Sequence, residues 1–139
     1  MINKILQGDV LARLKDIPDN HVQMVCTSPP YWALRDYGAE GQFGLEPTPE
    51  GYVEKLVEIG QEIKRVLRDD GTFWLNLGDT YWGGGWRGAE LNKRSGDMQK
   101  GHQGSHCGDA MSMGKGAHNL IKPKDMVGIP WRSAFGLQA

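Results

Sequence analysis

Apolar positions along the 139-residue chain fall into short, separate runs. Ile2 to Leu6 predicts a brief strand, broken by Gly8-Asp9. Val10, Leu11, Leu14 and Ile17 then recur at helical spacing, with Asp9 placed to cap them. Pro18-Asp19-Asn20 reads as a turn. Val22 to Thr27 is a continuous, partly β-branched run with turn residues before it and two prolines behind it. That is the pattern of a parallel strand buried on both faces. Residues 28–48 mix proline, glycine and aromatics without a period and read as a loop. Thr48-Pro49 opens a helix whose apolar face is Tyr52, Val53, Leu56, Ile59, Ile63, Val66 and Leu67. The turn Arg68-Asp69-Asp70-Gly71 ends it, and Thr72 to Leu77 predicts a further strand closed by Gly78-Asp79.

From Gly83 to Asn119 the pattern dissolves. The stretch is dense in glycine and has no apolar period, so residues 83–119 are expected to be a long flexible loop. Met126, Ile129, Trp131, Ala134, Phe135 and Leu137 then suggest a last helix, with Pro130 near its first turn. Strands alternating with helices imply an α/β fold with a mostly parallel sheet. Ligands of such sheets bind at the carboxyl ends of the strands. The segments after Thr27 and after Leu77 lie at such ends, and Asp9 follows the first predicted strand onto the same rim.

Composition changes this picture little. With 16 basic and 17 acidic residues, the chain does not announce a nucleic-acid binder, although a local basic groove can sit on a neutral protein. Cys26 and Cys107 are too few and too far apart for a disulfide framework, and Cys26 reads as a small core residue. Trp74 and the Tyr52 stripe read as core, whereas Trp32, Trp82 and Trp86 either reach bases or cover the rim. His102, His106, Cys107 and His118 lack the paired spacing of a zinc site and read as solvated loop residues, so no metal is expected. Arg87, Lys93, Arg94, Lys100 and Lys115 are candidates for phosphate contacts, or simply a soluble segment. No apolar run is long enough to span a bilayer or serve as a signal peptide, so the expected location is the cytoplasm.

The sharpest signal is Thr27-Ser28-Pro29-Pro30-Tyr31, directly after a predicted strand. Two successive prolines fix φ and remove two N–H donors, so their backbone offers only carbonyls. The residue before each proline is pushed to extended geometry. A stiff rim results, with the Ser28 hydroxyl and the Pro29 carbonyl as hydrogen-bond acceptors and Tyr31 as a flat ring for stacking. An exocyclic amino group suits this arrangement, because two acceptors can draw its lone pair out of conjugation with the base.

These residues resemble motif IV of the S-adenosylmethionine-dependent DNA methyltransferases that modify exocyclic amines, N4 of cytosine or N6 of adenine. Gly8-Asp9-Val10-Leu11, Arg65 to Gly71, Phe73 to Tyr81 and Lys122 to Arg132 resemble the same family. The resemblance implies a partial Rossmann-like methyltransferase fold, interrupted by the glycine-rich loop. It implies that Ser28 and the Pro29 backbone bind the target amine, that Pro30 shapes the turn and that Tyr31 stacks on a base flipped out of double-stranded DNA. It also implies that Asp9, Val10, Thr27 and Asp79 border S-adenosylmethionine. Ser28, where many adenine enzymes carry Asp, leans toward N4-cytosine. The family's cofactor turn, a Phe-x-Gly-Ser-Gly-like segment, is not found in this sequence. In the permuted class with the catalytic motif first, that turn lies carboxyl-terminal, after a target-recognition region. Residues 1–139 are therefore expected to be the catalytic-motif portion of a bacterial or phage restriction-modification methyltransferase, inactive alone. A non-catalytic DNA-binding or interaction remnant is the alternative. A methyltransferase for RNA or protein glutamine is a third, disfavoured by Ser28 in place of Asn.

Overall fold

The computed structural model describes residues 3–83 and 120–139. Five elements follow in chain order: α1 (Val10–Leu14), β1 (Val22–Thr27), α2 (Pro49–Val66), β2 (Leu67–Leu75) and α3 (Ile129–Gln138). The two strands are parallel neighbours, and α2 lies on the connection between them, as parallel pairing requires. The α/β class and the parallel sense match the sequence expectation. Where a strand is expected at Ile2–Leu6, the described residues 3–7 are irregular and Ile5 is 98% exposed. A strand needs an edge to pair with, and none among the described residues reaches this segment.

Local sequence explains the helices. Asp9 accepts from the Ala12 backbone N–H at 3.0 Å and starts α1. Thr48 does the same for Gly51 at 3.1 Å, Pro49 occupies the first turn of α2, and Lys64 and Arg65 sit at its carboxyl end, where cations are favourable. Arg65 also donates to the Leu14 and Ile17 carbonyls, at 2.9 and 3.1 Å, and so ties the end of α1 to α2. Of the predicted apolar stripe, Tyr52, Leu56, Ile63 and Val66 are buried.

The turn expected at Arg68–Gly71 is instead a bulge within β2. Leu67 pairs with Val22 and Thr72 with Met24, so residues 68–71 stand opposite Gln23 alone. Pairing extends past Leu75, since the Asn76 N–H donates to the Thr27 carbonyl at 3.0 Å.

Among the described residues, the sheet is covered on one face only. Val25, Thr27, Phe73 and Leu75 are half-buried on the side of the core. Met24, Cys26 and Trp74 lie on the other side and are exposed, Trp74 to 63%. The expectations of a fully buried strand and of Cys26 and Trp74 as core residues are thereby corrected. An apolar run shows that a strand can be buried on both faces, and the described residues supply cover for one.

The core gathers Trp32, Tyr52, Leu56, Trp82, Ile121, Val127 and Ile129. Trp32 and Trp82 stack with centroids 6.2 Å apart, so both are structural rather than base-reaching. Met126 falls before α3, where it bridges Tyr81 in antiparallel fashion. With Trp82 N–H to Asp125 O at 2.9 Å and Val127 N–H to Thr80 O at 2.9 Å, this bridge clips residues 80–82 to 125–127. The glycine-rich loop, Trp86, the four histidine and cysteine candidates and the basic residues 87–115 lie outside the described residues.

Candidate active site

The carboxyl ends of β1 and β2 stand side by side, which brings Thr27–Tyr31 next to Asn76–Asp79. Ser28 is exposed, Pro29, Pro30 and Tyr31 are half-buried, and the Ser28 hydroxyl donates to the Tyr31 hydroxyl at 3.3 Å. The two side chains assigned to amine binding and base stacking are therefore neighbours at the rim.

Two elements that the sequence reading did not link to this loop hold it. Tyr52, fully buried on α2, donates its hydroxyl to the Pro30 carbonyl at 3.1 Å and stacks on Phe43 at 4.6 Å. Burial, with smaller effects from Glu46 and Tyr31, pushes its hydroxyl pKa well above the ordinary tyrosine value, so it stays a donor. The Pro29 carbonyl accepts no hydrogen bond among the described residues. Of the two proline carbonyls, Pro30 is thus taken by the fold and Pro29 is left open. Gly78 is the second support. A Cβ there would lie 2.6 Å from Cδ2 of Tyr31, so the ring occupies the space that a side chain at position 78 would fill. Gly78 directly after an apolar run was the visible signal for such close approach; nothing in the spacing of Tyr52 pointed to Pro30.

Trp32 anchors the far side of the loop, its indole N–H donating to the Glu46 carbonyl at 2.8 Å. The buried Glu46 carboxylate accepts from the Gly44 N–H at 3.0 Å. Lys55 Nζ stands 3.2 Å from its other oxygen, at ion-pair distance but off the hydrogen-bond direction.

The residues expected at the cofactor are divided. Thr27 ends β1 at the rim and its carbonyl is engaged by Asn76. Asp9 uses one carboxylate oxygen to cap α1, and its other oxygen has no hydrogen bond among the described residues. Val10, in the first turn of α1, is 44% exposed. The Asp79 carboxylate accepts from Thr80 at 2.9 Å, Gly128 at 3.0 and 3.1 Å, and Ile129 at 3.0 Å. Gly128 sits at φ +79 with no capping side chain of its own, so Asp79 caps α3 from 49 positions away. Beside this corner a cleft of about 420 Å³ opens between Leu75–Leu77 and α3, and the buried Ser133 hydroxyl that lines it has no partner among the described residues. Among the described residues no group of His, Cys, Asp and Glu could hold a metal ion, and no helix is long and apolar enough to cross a membrane.

Ser-Pro-Pro-Tyr and Gly-Asp thus stand side by side at the carboxyl ends of a parallel strand pair. The profile of the DNA methylase family matches residues 22–127, and the chain belongs to this family of DNA amino-methyltransferases. It is 45% identical over 134 residues to the type II methyltransferase M.XycI of Xanthomonas campestris pv. cyanopsidis, an alignment covering 96% of this chain and 41% of that protein. It is 42% identical over 137 residues to the type II methyltransferase M.SmaI of Serratia marcescens, covering 97% and 42%. It is also 51% identical over 78 residues to M.MwoI of Methanothermobacter wolfeii. The chain thus spans about two fifths of the length of M.XycI and M.SmaI. No solved structure matches it.

Proposed function

We propose that this chain carries the target-base half of the active site of a type II DNA methyltransferase that moves a methyl group from S-adenosylmethionine to an exocyclic amine, N4 of cytosine. One observation carries the reading. The rim offers the Ser28 hydroxyl and an unengaged Pro29 carbonyl side by side with Tyr31, while the neighbouring Pro30 carbonyl is already taken by Tyr52. An amino group flipped out of duplex DNA has two protons to place, and these are two acceptors with no competing donor from either proline.

In this reading Ser28 and the Pro29 carbonyl accept the two amine protons and direct the nitrogen lone pair out of the base plane. Tyr31 stacks on the base, held in place by the space over Gly78. Pro30, fixed by Tyr52, keeps the rim from rotating. S-adenosylmethionine, when bound, supplies a methyl group already activated by its sulfonium, so positioning by the chain provides much of the catalysis. The residues present offer one fitting group for that cofactor: the second carboxylate oxygen of Asp9 has no hydrogen bond among the described residues and can accept from an amino group. Asp79 borders this region and serves it by fixing α3.

The test is chemical identification of the modified base. The chain is expressed in frame with the portion of M.XycI outside the aligned region, in a host without amine methylation, and its DNA is digested to nucleosides for mass spectrometry. N4-methylcytosine that disappears with Ser28→Ala supports the proposal. N6-methyladenine would correct the base, and 5-methylcytosine or no modified base would overturn the chemistry.

A further inference from the structure

The turn at Lys122–Asp125 is fastened to the segment that packs behind the rim. Its own bonds close it: the Asp125 N–H donates to the Lys122 carbonyl at 3.0 Å, and the Lys122 N–H to the Asp125 carboxylate at 3.3 Å. Two further bonds tie it to Trp82, from the Lys124 N–H to the Trp82 carbonyl at 2.8 Å and from the Trp82 N–H to the Asp125 carbonyl at 2.9 Å. The Trp82 ring in turn stacks on Trp32, the residue that follows Tyr31. Within the turn Lys124 stands at φ +76, a left-handed conformation that suits glycine and strains a lysine. Such strain persists only where the surroundings hold it, and here the bonds to Trp82 do so.

The charges of this turn are left open. Lys122 and Lys124 are exposed, and neither makes an ion pair among the described residues. The carboxylates on either side face backbone donors: Asp125 accepts from the Lys122 N–H, and Asp79 from Thr80, Gly128 and Ile129. Beside the lysines lie Tyr81 and Met126, bridge partners that are 59% and 58% exposed.

We propose that Lys122 and Lys124 hold the phosphodiester backbone of the DNA strand that presents the target base. This rests on the proposed function for DNA as the partner and assigns the surface that grips it beside the site. Charge complementarity selects the backbone as the group bound, because duplex DNA carries closely spaced, exposed negative charges and a lysine meets phosphate as a point charge. Phosphate contacts also fix register, and a nucleotide that turns into the rim needs its backbone held at a set place. Two merely solvated lysines would need neither the strained conformation nor the fastening to Trp82.

The test is binding of the 139-residue chain to a fluorescein-labelled duplex of about 20 base pairs, followed by anisotropy from about 50 to 200 mM salt. The logarithm of the binding constant falls with the logarithm of salt by about 0.9 for each phosphate neutralised. Lys122→Gln and Lys124→Gln should each reduce that slope by about 0.9 and weaken binding roughly tenfold at the lowest salt, and the double variant should reduce the slope by about 1.8. Lys64→Gln makes the same charge change where α2 runs into β2, at the opposite end of the strands from the rim, and should leave the slope unaltered. Lys124→Gly separates charge from fold. Glycine is at ease at φ +76, so the urea midpoint should not fall, yet the slope should drop as it does in Lys124→Gln. Unchanged slopes in the Lys122 and Lys124 variants, an equal drop in Lys64→Gln, or no binding of the duplex at the lowest salt overturns the inference. Neither cofactor nor methyl transfer enters this measurement. Reduced slopes without N4-methylcytosine leave the surface standing and remove the function, whereas N4-methylcytosine with unchanged slopes removes the surface alone.

Discussion

Replacing Asp79 with alanine removes the carboxylate that fastens α3 to the exit of β2. In the structure that carboxylate accepts from the first N–H groups of α3, at Gly128 and Ile129, and from Thr80. Loss of a helix cap costs about 0.5–2 kcal/mol. Here the acceptor is charged and the site is partly buried, which raises the figure, since a hydrogen bond to a charged group contributes about 1.5–3 kcal/mol. The favourable placement of an anion at a helix amino terminus adds about 0.3–1 kcal/mol. Water reaching the freed N–H groups offsets part of this, leaving a net loss of about 2–3 kcal/mol for Asp79→Ala. Asp79→Asn keeps one acceptor and loses the charge, so it should cost about 1 kcal/mol. Urea titration followed by circular dichroism measures both, and with a slope of about 2 kcal/mol per molar the alanine midpoint falls by roughly 1 M. A midpoint for Asp79→Ala indistinguishable from the parent's would refute the capping role and free Asp79 for the cofactor.

Tyr52→Phe leaves the Pro30 carbonyl without its partner and should cost about 1–2 kcal/mol near neutral pH, read by the same titration. Its alkaline behaviour is a second readout. Burial raises the Tyr52 hydroxyl above its ordinary value of 10.0, so its stabilisation is present below that pH and is lost as pH climbs toward the folded value. The parent should therefore lose stability above pH 10 more steeply than Tyr52→Phe, by up to about 1.4 kcal/mol per pH unit; parallel curves would contradict this. Gly78→Ala displaces the Tyr31 ring by about 1 Å, a shift a half-buried ring can make for roughly 1 kcal/mol, yet it should lower methyl-transfer kcat in the completed enzyme about a hundredfold. Unaltered kcat would show that Tyr31 does not position the base. Trp32→Phe loses the bond to the Glu46 carbonyl and part of the stack on Trp82, and thermal or urea unfolding should report a loss of about 2–4 kcal/mol.

Much of the local structure around the candidate site was legible in the sequence, because capping and proline chemistry act over a few residues. Two prolines after an apolar run define a donor-poor rim wherever they occur, and Thr48-Pro49 and Asp9 announce their helices by capping chemistry alone. Contacts between distant segments were not legible. Tyr52 looked like one residue of an apolar stripe, and its hydroxyl reaches Pro30 only because the crossover lays α2 beneath the rim. Asp79 was legible as an acid at the exit of a strand, but not as the group that caps the Gly128 backbone at φ +79. Cys26 and Trp74 misled for a related reason. A continuous apolar run marks a strand that can be covered twice, and the pattern does not say which polypeptide supplies the second cover. Pairing decided the remaining differences: Ile2–Leu6 has the composition of a strand, but its described residues pair with neither β1 nor β2, and Arg68–Gly71 has that of a turn but is drawn into β2 as a bulge opposite Gln23.

The central claim is that Ser28–Tyr31 is the amine-binding half of a methyltransferase site that is completed by further polypeptide. The most direct measurement is transfer of tritiated methyl from S-adenosylmethionine to unmethylated duplex DNA, by the chain alone and by the chain with the M.XycI portion outside the aligned region. The account predicts no transfer by the chain alone. It predicts acid-stable label on an exocyclic base amine when the two are combined, and loss of that label with Ser28→Ala. Robust turnover by the chain alone, or an assembled pair that binds S-adenosylmethionine and DNA yet transfers nothing, would contradict it.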